Sequence, residues 1–182
     1  MTLIRTPGST TTRRIASLFA LGLSAALAVQ AQAPQSASAT VKAAYGRIKT
    51  NFQKAAEKMP EENYGFAPAS GIETFGQRVA HIADAQMGGC TAMLGERKAG
   101  TAKSKTAKAD LVAALKESFE ACDKAFDALT DTNAMEIVSA GRGQQARIAA
   151  LYGIVVHANE VYGAMGVYMR VKGLVPPSSE GR

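Results

Sequence analysis

From Val41 onward, apolar residues recur at alternating intervals of four and three. Val41, Tyr45, Ile48, Phe52, Ala55 and Met59 form one stripe, the pattern of a helix with a single buried face. Pro60 ends it, and EENYGFAPASG reads as a loop with Tyr64 and Phe66 tucked against the helices. A second helix is predicted from Ser70, because Ser70 and Glu73 have capping-box spacing. Its stripe is Phe75, Val79, Ile82, Gln86, Cys90 and Met93. The basic linker ERKAGTAKSKTAKAD follows. A third helix carries Leu111, Leu115, Phe119, Cys122, Phe126 and Leu129, and Asp131-Thr132-Asn133 breaks it. A short apolar piece, Met135 to Val138, leads to Gly141 and Gly143. The fourth helix, Gln144 to Lys172, has two apolar faces. One holds Ile148, Leu151, Tyr152, Val155, Tyr162 and Met169; the other holds Ala150, Ile154, His157, Val161, Ala164 and Tyr168. A helix apolar on two faces belongs at the centre of its bundle.

Four such stripes predict an all-α protein, a four-helix bundle. Periodicity leaves the connections open. The 14 residues between Gly95 and Asp110 exceed what an antiparallel hairpin needs and reach roughly 45 Å when extended. The second and third helices can therefore run parallel, joined by a crossover.

The N-terminus has another character. Arg5, Arg13 and Arg14 precede a 15-residue apolar run, Ile15 to Val29, shorter than the ~20 residues of a membrane-spanning helix. Small-residue cleavage patterns end at Ala31 and Ala33. Residues 1–31 read as a signal peptide, residues 32–39, rich in Ala, Ser, Gln and Pro, as an unstructured linker, and residues 40–182 as the bundle. The mature protein would then be periplasmic or secreted from a bacterial cell, with no membrane span. Cleavage removes three of 21 basic residues and leaves 18 against 15 acidic ones, so the net charge falls from +6 to +3. That excess is too small to argue for nucleic acid. Much of it sits in one linker, at Arg97, Lys98, Lys103, Lys105 and Lys108, which reads as a solvated loop.

Two ordered motifs carry a family resemblance. MPEENYGFAPASGIETFGQRVAHIADAQ has an acidic-aromatic loop, a Phe-Gly helix start and a His-x-x-Asp. VVHANEVYGAMGVYMRVKGLVPPSS has Tyr162-Gly163, Tyr168-x-Arg170 and a terminal Pro-Pro-Ser. Together they resemble the DinB-like four-helix bundles (the DinB/YfiT-like group of metalloenzymes) over most of the mature chain. The resemblance implies an up-down-down-up bundle with parallel second and third helices. It also implies a divalent metal, such as zinc, nickel or iron, held by one histidine of the second helix and two of the fourth. Some such proteins catalyse metal-assisted transfer of low-molecular-weight thiols. Carried over by position, His81 and His157 match two ligands, but Val161 occupies the usual third-histidine position and cannot coordinate.

His81 and His157 are the chain's two histidines. Asp84 and Glu160 each stand three residues after one of them, beside it on the helix surface, and are the candidate third ligands. A stable site usually needs three or four protein donors, so loss of the metal is the favoured reading. Cys90 and Cys122, the two cysteines, form no redox or zinc motif. With parallel helices their heights differ by roughly 6 Å, which makes them a disulfide candidate; the alternative is two small buried hydrophobes. Two functions follow. The first is an exported binding or structural module with a degenerate metal site, with a small molecule, a thiol or a second copy as partner. The second is a metal-dependent hydrolase or thiol S-transferase using His81, His157 and a carboxylate.

Overall fold

The first helix, α1 (Ala37–Lys58), buries the stripe that the spacing predicts. The structure, a computed structural model, describes residues 35–141 and 143–181. Residues 1–31, read above as a signal peptide, and the start of the linker lie outside the described residues. The end of that linker is helical rather than unstructured. Ser36 caps α1 by accepting the Ala39 N–H at 3.3 Å, and Asp131 accepts the Ser38 N–H at 3.1 Å. Two orphan donors of the first turn thus gain partners.

The second helix, α2 (Phe75–Met93), starts later than the Ser70–Glu73 pattern predicts. Thr74 and Gln77 form the capping box instead, at 3.2 and 2.7 Å. Gly71, at φ 78°, turns the backbone out of helical geometry directly after Ser70. The loop before α2 completes its start, since the carbonyls of Phe66 and Tyr64 accept the N–H groups of Phe75 and Gly76. Glu73 pairs with Arg78 at 3.2 Å.

The third helix, α3 (Lys108–Asp127), follows a crossover that contains a short 3-10 turn, Ala102–Ser104. Between α3 and the last helix lies a hairpin not expected from the sequence, with β1 (Ile137–Ala140) antiparallel to β2 (Gly143–Ala146). Gly141, at φ 59°, lies in its turn. Residues 144–146 therefore belong to a strand, and α4 (Arg147–Val171) begins where the Glu136 and Ala134 carbonyls accept the Arg147 and Ile148 N–H groups. A Schellman motif ends α4: Gly173, at φ 73°, donates to Arg170 O, and Leu174 donates to Met169 O.

Side-chain pairs fix the helix directions. Gly76 packs on Leu111 at the start of both α2 and α3, and Cys90 is joined to Cys122 near their ends, with Cα atoms 4.8 Å apart. These helices run parallel. Tyr45 reaches Asp123, and Lys108 reaches the carbonyls of Glu57 and Met59, so α1 opposes α3. Gly89 meets Ile154, and Tyr168 donates to Glu73 O, so α4 opposes α2. The order is up-down-down-up. The core is aromatic: Tyr45 stacks on Phe126 at 3.9 Å, and Phe52 packs against Phe119 and Tyr162. One expected core residue is displaced, because Tyr152 is 54% exposed, together with Val156, Val167 and Val171 on the outer side of α4. None of the described helices is long and apolar enough to cross a membrane.

The disulfide is fully buried beside Gln86, whose Oε1 lies 3.0 Å from Cys122 Sγ. A disulfide sulfur has no proton to donate. Turning the amide over aims Nε2–H at the sulfur and gives a partner to an Nε2 that otherwise has none among the described residues.

Two buried phenols tie stability to alkaline pH. Burial, and then the hydrogen bond to Asp123 and its charge, push Tyr45 far above the ordinary phenol value. Burial, with Glu57 and Glu61 nearby, does the same for Tyr64. A folded-state value above the unfolded one means that this stability is present below pH ~10 and is lost as pH rises beyond it. In an alkaline titration, two of the five tyrosines should give tyrosinate absorbance only as the helical dichroism disappears. Tyr45→Phe/Tyr64→Phe should remove that late phase. Tyrosinate from these two residues in a chain still fully helical would contradict it.

Candidate metal centre and the cleft beside it

The antiparallel packing of α2 and α4 brings the two histidines together. His81 Nε2 and His157 Nε2 are 3.0 Å apart, with ring centroids separated by 5.1 Å and planes at 76°. His81 is exposed and His157 half-buried. Two neutral imidazoles at this distance form a hydrogen bond when one Nε2 carries a proton and the other does not.

The same pair could occupy two corners of a metal site. Nitrogens each 2.0–2.1 Å from a tetrahedral zinc stand roughly 3.3 Å apart. The other corners decide the fit. Val161, one turn beyond His157, is buried and aliphatic. Asp84 points its carboxylate at the crossover, where Oδ1 accepts the Ala102 N–H at 2.7 Å and Oδ2 the Lys103 N–H at 3.0 Å. Glu160 is exposed and has no hydrogen-bond partner among the described residues. No group of three or more His, Cys, Asp or Glu side chains among the described residues is placed to hold a metal. Two nitrogen donors fall short of the three or four that a resident ion requires, so the donor set does not fit the metal that the resemblance implies.

Beside the pair lies a cleft of about 370 Å³ between α2 and the crossover. His81 and Asp84 line it from α2, above the small side chains of Ala80 and Ala85, and Lys103 and Lys105 line it from the crossover. A larger groove, about 510 Å³, lies between late α2, early α4 and the hairpin. It is lined by small residues such as Gly88, Gly89, Ala150 and Gly153 and contains no histidine. Of the two, the smaller cleft is the one that a histidine lines.

The lysines are there because the crossover is fixed. Asp84 binds two of its N–H groups, Ala102 is buried, and Gly100 passes so close that an added Cβ would lie 2.5 Å from Asp84 Cα. By composition this run reads as a solvated loop, and Arg97, Lys98 and Lys103 are indeed exposed, but its backbone is held. The available signal was Asp84 itself, a carboxylate on the histidine side of α2 whose oxygens needed donors.

The geometry has a counterpart among known proteins. The sequence pattern of the DinB superfamily matches residues 44–161, a span that includes both histidines. The chain belongs to the DinB superfamily. Its fold is also that of a crystallised DinB-like protein from Bacillus cereus ATCC 10987, with 21% identity and a TM-score of 0.65 over 75% of this chain and 93% of that one. No curated protein matches it. This DinB superfamily member therefore keeps the family scaffold, with both histidines inside the matched span.

The pinned crossover is testable. Asp84→Asn should lower stability by about 1–3 kcal/mol, the loss of charge-assisted hydrogen bonds to backbone donors. Gly100→Ala should shift the backbone amide resonances of Ala102 and Lys103 while leaving those of α1 in place. Native resonances at both residues in Gly100→Ala would show that the crossover does not rest on Asp84.

Proposed function

We propose that the mature chain is an exported binding module of the DinB superfamily, in which His81, on the wall of a ligand cleft, is hydrogen-bonded to His157 rather than sharing a metal with it. The observation that carries this reading is the commitment of Asp84 to the crossover backbone. It removes the carboxylate beside His81 from the metal position, while Val161 closes the position beside His157. Export is supported by the arginine-led apolar segment with its small-residue cleavage pattern. The pairing of Cys90 with Cys122 suits an oxidising compartment.

One observation favours the rival, a metal-dependent hydrolase or thiol S-transferase. The Nε2 separation of 3.0 Å is close to what two ligands of one ion need. That reading requires Glu160 to leave solvent and join the histidines. Metal analysis of the purified mature protein separates the two. The binding module should hold well under 0.1 equivalent of zinc, nickel or iron after dialysis against a weak chelator, as a two-donor site would. One tightly held equivalent that disappears in both His81→Ala and His157→Ala would overturn it.

A further inference from the structure

We infer that the cleft between α2 and the crossover binds a small molecule bearing a carboxylate or phosphate group, with Lys103 and Lys105 as its charge partners and His81 as its wall. The inference rests on the binding-module reading and names the class of ligand.

The two lysines and two carboxylates that line the cleft are not paired with each other. Its two acidic residues are engaged elsewhere: Glu73 with Arg78 at 3.2 Å, and Asp84 with the N–H groups of Ala102 and Lys103. Lys103 and Lys105 make no ion pair with any described residue, although Lys105 is half-buried. An ammonium group that has no carboxylate partner can take a ligand anion as one.

Pre-organisation distinguishes these lysines from a solvated run. Buried Ala102 lies between the close approach at Gly100 and Lys103, and Asp84 binds the two consecutive N–H groups of Ala102 and Lys103. The backbone that bears the ammonium groups is therefore already fixed over the cleft, which lowers the ordering cost of binding. Ala80 and Ala85 on the α2 side leave a volume of about 370 Å³, within the range of small-molecule sites. The exposed imidazole of His81 adds a hydrogen-bonding group on the same wall.

The test is a pair of titrations on the mature protein after chelator treatment, one with inorganic phosphate and one with succinate, at ionic strength held constant with sodium chloride. The backbone amides of His81, Lys103 and Lys105 are followed by NMR. At least one anion should give a saturable shift at these residues. Lys103→Ala/Lys105→Ala should weaken its binding by about tenfold, and Lys103→Arg/Lys105→Arg should restore most of it. Response to phosphate alone assigns a phosphate-bearing ligand, and response to succinate alone a carboxylate. No saturable shift with either anion, or equal binding by the double alanine variant, would overturn the inference. Because the protein is chelated first, discovery of a tightly bound metal in untreated protein would sink the metal-free reading without altering the outcome of these titrations.

Discussion

The parallel alignment of α2 and α3 is the constraint from which the rest of this molecule follows. Neighbouring helices that run the same way cannot be joined by a tight turn, so the chain must return along the whole length of the bundle. That return strand would be a loose polar segment unless something held it. Here a disulfide joins α2 to α3 near their far ends, and Asp84 grips the crossover along its path. The alignment leaves α2 antiparallel to α4, and only then do His81 and His157 face each other.

Asp84 also sets the chemistry. A carboxylate three residues after a histidine can serve a metal or the backbone, but not both with the same two oxygens. In this chain it serves the backbone. The consequence is twofold. The histidine pair receives no third donor from Asp84, and the crossover lysines stand over the cleft that His81 lines. A feature that reads as a metal ligand in the sequence is, in the fold, the anchor of a loop.

Much of the bundle was legible because burial imposes a period. The stripes of α1, α2 and α3 are the observed core, from Val41 to Met59, Phe75 to Cys90 and Leu111 to Leu129. Both histidines were legible as a facing pair only through the family motifs, since neither spacing nor composition relates positions 81 and 157. What escaped was set by tertiary context. Ser70–Glu73 and Thr74–Gln77 both satisfy the capping pattern, and the loop carbonyls of Tyr64 and Phe66 select the second. The β1–β2 hairpin is too short for its alternation to stand out. Tyr152 fits an apolar face of α4, yet that helix is apolar on nearly every side, so periodicity could not say which side faces solvent. Asp84 was visible, but its partners lie 18 and 19 residues away.

In the binding-module reading, His81 and His157 bond to each other and not to an ion. Diffraction at the zinc absorption edge, from crystals of the mature protein grown with stoichiometric zinc, observes this directly. The anomalous map should show no ordered peak between the two Nε2 atoms, with Asp84 still on the crossover N–H groups. A fully occupied peak bound by both imidazoles, with Glu160 swung in as third ligand, would contradict it.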